Sequence, residues 1–186
     1  MSTEKPFESD LQFVADVVRR SRPAEPAAIY FLWAVIIPIG FALPDFAPHY
    51  AGWYWLVMAP LGAVVSMWLG WRYNRRQGQV DRREGLRHGG HWVLFGVGFL
   101  LVPLPALTGH LPLPAVAPYL LLVVGLAYAS AGLYLNRGLL LTGIIMLVGF
   151  AGLVSLPLPY LWTATGVVVA LALAAAGWQL ARSPQP

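Results

Sequence analysis

Cysteine is missing altogether, and with it every disulfide framework, thiolate metal site, CxxC redox pair and covalent haem attachment. Charge is scarce as well. Asp, Glu, Lys and Arg make up 11% of the residues, where a soluble domain carries about 25%. Hydrocarbon takes their place: 58% of the 186 residues are apolar, mean hydropathy is +0.64, and the excess lies in long uninterrupted runs. An ordinary water-soluble globule is thereby excluded, and a polytopic membrane protein is implied. The 16 Pro and 19 Gly then read as kinks and close helix contacts more than as linkers.

A helix that crosses the membrane needs about 20 largely apolar residues to traverse roughly 30 Å of hydrocarbon. Six segments qualify, at about 27–43, 51–71, 92–108, 114–135, 138–156 and 160–181, and none contains Asp, Glu, Lys, Arg or His. The expected fold class is all-α, a six-transmembrane-helix bundle over 27–182. Ahead of it, residues 1–26 are polar and lack the apolar core of a secretory signal peptide, so they are expected to belong to the mature protein. Within them Phe7, Leu11, Val14 and Val18 share one helical face and Glu8, Gln12, Asp16 and Arg19 another. That spacing predicts an amphipathic helix, stopped by the Pro-containing linker Arg22-Pro23-Ala24-Glu25-Pro26, lying at the interface or against the bundle.

The twelve Lys and Arg set the orientation, because cytoplasmic loops carry the basic excess. Lys5, Arg19, Arg20 and Arg22 precede the first span; Arg72, Arg75, Arg76, Arg82, Arg83 and Arg87 fall between the second and third; Arg137 and Arg182 follow the fourth and sixth. All lie on one side, so both termini are expected to be cytoplasmic, in a bacterial inner membrane. The stretch 72–91 reads as a basic loop with six Arg against Asp81 and Glu84, a net +4. Its arginines are expected to contact anionic lipid, at about 1 kcal/mol each. Topology accounts for the pI near 9.7, and no nucleic-acid partner is implied. Tyr50, Trp53, Tyr54, Trp55, Tyr160 and Trp162 would form one aromatic belt, and Trp68, Trp71, Tyr73, Trp92, Tyr134 and Trp178 the other.

A pattern recurs three times. Each outgoing helix ends with a Gly-Phe pair before a Pro-containing turn: Gly40-Phe41, Gly98-Phe99 and Gly149-Phe150. Each returning helix carries Gly70, Gly132 or Gly177 shortly before a terminal Arg, with intervals of 45 to 62 residues between units. Three repeated α-hairpins are expected. Helix packing should run through small residues of the returning helices, Gly62, Ser66 and Gly70, then Gly125 and Ala129, then Gly166, Ala170 and Ala174, meeting at a central axis. Pro38 and Pro60 should bend spans one and two. Only about 16 Å of helix fits between Trp92 and Val102, so the third span must be kinked at Pro103 and Pro105 or stop short.

Catalysis finds little support. Spans without ionisable groups exclude buried haem-binding histidines, proton relays and the aspartates of intramembrane proteases, and no GxxxxGK[ST] motif is present. Ser66, Ser130 and Ser155 have no base beside them in sequence. No enzyme activity and no cofactor are expected. His88-Gly89-Gly90-His91 lacks a third ligand nearby. The candidate metal set is Asp45, His49 and His110, two imidazoles and a carboxylate in the loops opposite the arginines, suited to zinc, copper or pH sensing if the first two hairpins lie side by side. Three unconnected loop residues are the plainer alternative.

The six spans, the Gly-Phe and Pro turns and the Gly-x-x-x-Asn-Arg ends at Gly70 to Arg75 and Gly132 to Arg137 resemble the bacterial short-repeat membrane proteins of the acid-resistance membrane protein family. The resemblance covers 27–182 as a pattern of Gly, Pro and Arg, and the eight Trp and the N-terminal amphipathic helix depart from it. It implies a stress-linked inner-membrane protein and carries over no catalytic residue. The expected function is that of an accessory subunit or stress-response component acting through helix packing, its partners membrane lipids, another membrane protein or a second copy. The alternative is a transporter or sensor of a neutral or lipid-like small molecule, held in a cavity around Trp33 between the bent spans one and two, or of periplasmic pH or metal.

Overall fold

A computed structural model gives the fold over residues 26–77, 82–134 and 138–182. The amphipathic helix expected near the N-terminus lies outside these residues. The chain forms α1 (Ala27–Phe46), α2 (Pro48–Gln77), α3 (Arg82–Leu101), the short α4 (Leu104–Leu107), a 3-10 turn (Leu113–Ala115), α5 (Val116–Tyr134), α6 (Gly138–Ser155) and α7 (Leu161–Arg182). Six helical segments are long and apolar enough to cross a membrane. Helix is the form such runs must take, because hydrocarbon offers no partner to a free N–H or C=O and a helix pairs them internally.

Several boundaries differ from those read in the sequence. α1 continues through Pro44, where a turn is expected, and a single residue, Ala47, reverses the chain before Pro48 opens α2. Proline at the first helical position loses no bond, since that N–H has no intrahelical acceptor. The stretch 72–91 is not an open loop: α2 runs to Gln77 and α3 begins at Arg82. Arginine is a good helix former, and Arg75 and Arg76 in the last turn of α2 complement its dipole. The third span is kinked, with α3 followed across Val102 and Pro103 by α4, and the spanning segment reaches Leu107. Gly109, at φ 76°, then ends α4 in the left-handed conformation glycine favours.

The most extensive packing joins α1 to α7 and α5 to α6. At the α5–α6 seam an added Cβ on Gly132 would meet the backbone of Leu140, and one on Gly143 the backbone of Ala129. At the α1–α7 seam Gly166 faces Phe41 and Pro38, and Gly177 faces Tyr30 and Phe31. Within successive pairs, Gly40 faces Tyr54 and Trp55 of α2, Gly98 faces Val123 of α5, and Gly149 faces Val168 of α7. The returning helices do not meet on one axis. α5 touches α7, whereas α2 packs on α1 and α3 on α5, with no comparable seam between α2 and α3. The reason is where the small residues point: those of α5 face α6, Gly166 of α7 faces α1, and Gly62 of α2 is covered by the Trp33 indole.

Candidate functional site: a cavity between the helices

Two tryptophans seat α2 on α1. Trp33 of α1 lies over Gly62, the only buried residue among the described residues of α2, and its Nε1–H donates to Ser66 Oγ at 3.0 Å. Trp55 of α2 lies against Gly40, and its ring meets Phe41 edge-on with centroids 5.8 Å apart. Beside it, the Tyr54 hydroxyl donates to the Ile36 carbonyl at 2.7 Å. These bonds satisfy the polar atoms that would otherwise be stranded near hydrocarbon. They also tie α1 to α2.

Behind the rings is a partly open cavity of about 390 Å³, lined by Trp33, Ile37 and Phe41 of α1, Trp55 and Ala59 of α2, Gly96, Phe99 and Leu100 of α3, Leu120, Leu121 and Val124 of α5, and Val169 of α7. Its volume falls within the roughly 300–1,000 Å³ of small-molecule sites, but its wall is almost wholly apolar. The lining is stacked along the helix axes. Trp33, Ile37 and Phe41 sit one turn apart, so the α1 wall alone is roughly 12 Å long. The cavity runs from Trp33, on the arginine-bearing side of mid-bundle, to Phe41 and Trp55 toward the other side, where α2 and α3 are unpaired.

The expected metal site is not assembled. Among the described residues no three His, Cys, Asp or Glu side chains gather as a metal-binding group. Asp45 lies in the last turn of α1 and its Oδ2 accepts from Thr163 N–H at 2.7 Å and Thr163 Oγ1–H at 2.6 Å. It acts as the N-terminal cap of α7 from another helix, where a carboxylate suits both the free N–H groups and the dipole. His49 is exposed against the Tyr50 ring, and His110 Nδ1 is 2.9 Å from Thr108 Oγ1 within its own turn. Each is engaged apart from the other two, so the correction to Asp45, His49 and His110 is one of geometry. His91, one of the histidine pair that lacks a third ligand in the sequence, bonds the Ala127 carbonyl at 3.0 Å and ties α3 to α5.

The residues expected at helix contacts divide. Gly62, Gly125 and Gly166 are buried against a neighbouring helix, Ala129 faces Gly143, Ser66 holds Trp33, Ala170 and Ala174 are half-buried, and Gly70 faces open space. Gly132 and Gly143, at the closest approach in the bundle, were not among the expected packing residues; the Gly-x-x-x-Asn-Arg pattern marks the first, and nothing in local spacing marks the second. Of the arginines expected at lipid, Arg72 and Arg75 lie over Trp68 and Trp71, at 5.3 and 4.8 Å from the ring centroids. Arg182 lies over Trp178 at 4.4 Å. Arg76 and Arg87 are exposed, and the side chains of Arg82 and Arg83 lie outside the described residues. Trp55, expected in an aromatic belt, instead lines the cavity. No protein family, curated protein or solved structure matches the chain.

Proposed function

We propose that this chain is a non-catalytic integral membrane protein that binds a neutral, apolar small molecule within the bilayer, as a sensor or carrier. The cavity behind Trp33 and Trp55 carries the reading: a volume of ligand size with a wall that offers hydrocarbon and aromatic rings and no charge. A charged ligand would face desolvation without a partner. The test is native mass spectrometry after mild extraction, comparing the wild type with Gly96→Phe, which projects a ring from a position where an added Cβ meets open space. An apolar adduct on the wild type that the variant loses is the expected result. Identical spectra would overturn the proposal.

A second reading, an accessory subunit or stress-response component that acts through helix packing, is favoured by the exposure of α2 and α3 and by the resemblance to acid-resistance membrane proteins. Its partner would be another membrane protein or a second copy, and the same spectra would show that chain.

The three-hairpin repeat belongs to this proposal and has geometric support. Gly40, Gly98 and Gly149 each face the returning helix that follows. Val168 stands 45 residues after Val123, as Gly177 stands 45 after Gly132, so the second and third hairpins share a register. The arginine distribution and the Trp–Arg stacks at the ends of α2 and α7 support a bacterial inner-membrane location with both termini cytoplasmic, lipid contact by the basic residues, and no nucleic-acid partner. The N-terminal amphipathic helix would lie on that same face.

A further inference from the structure

The three hairpins make unequal seams, and the inequality says what the cavity takes. At two seams a returning helix meets the outgoing helix of another hairpin through a glycine: Gly132 of α5 on Leu140 of α6, the next in the chain, and Gly177 of α7 on Tyr30 and Phe31 of α1, the first. Tyr30 and Phe31 precede Gly40 by ten and nine residues, and Leu140 precedes Gly149 by nine. The same step back from Gly98 is Gly89. The third seam would therefore join Gly70 of α2 to Gly89 of α3, and an added Cβ at either glycine meets nothing within 4 Å. This seam is open, and the cavity lies behind it, with Trp55 and Ala59 on one side and Gly96, Phe99 and Leu100 on the other.

From this we infer that the occupant is the hydrocarbon chain of an uncharged lipid, of the class of diacylglycerols, prenols and quinols, entering sideways from the bilayer between α2 and α3. The inference rests on the proposed function above and names its ligand. Three features support it. An opening between two membrane-spanning helices faces lipid, so the ligand is one dissolved in the bilayer. The α1 wall runs along the helix axis for roughly 12 Å, a length that suits an extended chain. No cation waits at the Phe41 and Trp55 end of the cavity: the turns and helix ends at 47–50, 102–115 and 156–160 contain neither Lys nor Arg, Asp45 is engaged by Thr163, and His49 and His110 are exposed on their own turns. A phosphate headgroup would be drawn to Arg or Lys.

The test uses the full chain in phosphatidylcholine vesicles with two photoactivatable lipids that carry the same diazirine-labelled acyl chain, a diacylglycerol and a phosphatidylglycerol. After irradiation, labelled peptides are mapped in the wild type, in Gly96→Phe and Ala59→Phe, which fill the cavity, and in Gly85→Phe, which lies on α3 outside it. The inference expects diacylglycerol to label the peptides bearing Trp55, Ala59, Phe99 and Leu100 several-fold more than phosphatidylglycerol does. That label should be lost in at least one filling variant and kept in Gly85→Phe. Equal or stronger labelling by phosphatidylglycerol overturns the preference for an uncharged lipid and leaves the apolar site standing. Label that survives both filling variants comes from surrounding lipid and overturns the inference. Absence of label in the cavity from either lipid also overturns it; if the adduct lost in Gly96→Phe is still seen by native mass spectrometry, the broader proposal survives, and if not, both fall.

Discussion

The α5–α6 seam and the α2–α3 gap are built from the same kinds of residue and end differently. α5 and α6 touch through Gly132 and Gly143, close enough that a single Cβ on either would strike the neighbouring backbone. α2 and α3 carry Gly70, Gly85, Gly89 and Gly96, and an added Cβ on any of these meets open space. Half of the apolar window containing α5 is buried, against 6% of that in α2 and none in α3. Small residues thus permit close packing without compelling it. In lipid no hydrophobic force drives two apolar helices together, and contact depends on shape. The rings of Trp33 and Trp55 seat α2 on α1 and no such contact joins it to α3 among the described residues, while Asp45, capping α7, supplies one polar tie that holds α1 and α7 together.

If that contrast is right, the largest loss should follow from an insertion at the tight seam. Gly143→Leu would drive a side chain into the Ala129 backbone, which cannot move aside as a flexible side chain would. A cost of about 3 kcal/mol or more is expected, read as loss of the folded species in detergent by size-exclusion chromatography and by denaturant titration. Little change would mean that α5 and α6 are not in close contact.

The gap itself is open to cross-linking, because the chain has no cysteine of its own. In the double variant Gly70→Cys/Gly89→Cys, the two thiols should remain unpaired under mild oxidation, since a disulfide requires Cα atoms within about 7 Å. Efficient pairing within one chain would show that the third seam closes and that the asymmetry is one state of two. Next in size is Asp45→Ala, which leaves Thr163 N–H and the start of α7 without an acceptor. About 1–2 kcal/mol should be lost, the usual worth of a helix N-cap, with Asp45→Asn retaining part of it. A variant as stable as the wild type would remove Asp45 from the list of ties. Trp33→Phe and Ser66→Ala should each cost about 1 kcal/mol by breaking one half-buried hydrogen bond, and a double-mutant cycle should show the two costs to be shared rather than additive.

The sequence made the number of helices plain because run length is enough to reveal a span. It also pointed to Gly125 and Gly166 as contact residues, since their spacing places small side chains on one stripe. Which stripe faces which helix was not legible. A helix apolar all round looks the same toward lipid and toward protein, so periodicity, which works in water, carries no information about partners here. The Asp45–Thr163 contact joins residues 118 apart, and no local motif announces it. A polar residue at a span's end fits a loop ligand and a cap equally well, which is why a metal set of Asp45, His49 and His110 was the expectation. The cavity is volume that side chains leave unfilled, and composition cannot show it. Even so, the bends expected at Pro38 and Pro60 led to a cavity around Trp33 as the alternative reading, and Trp33 is one of the residues that line it.

The smallest effect separates the two regions most cleanly. Gly89→Ala adds one methyl group to α3 where nothing lies within 4 Å, so no steric cost opposes the gain from replacing glycine inside a helix. That gain is about 0.8–1.0 kcal/mol in a helix interior. Stability should therefore rise slightly, or stay unchanged where lipid already enforces the helix. Gly132→Ala adds the same methyl group against the Leu140 backbone and should fall by more than Gly89→Ala rises, though helix propensity favours both equally. Measured side by side by the same denaturant titration, the pair differs only in what surrounds the new carbon. Opposite signs would establish that the glycines of one seam are held in contact and those of the other are not; equal signs would mean that α3 packs as closely as α6.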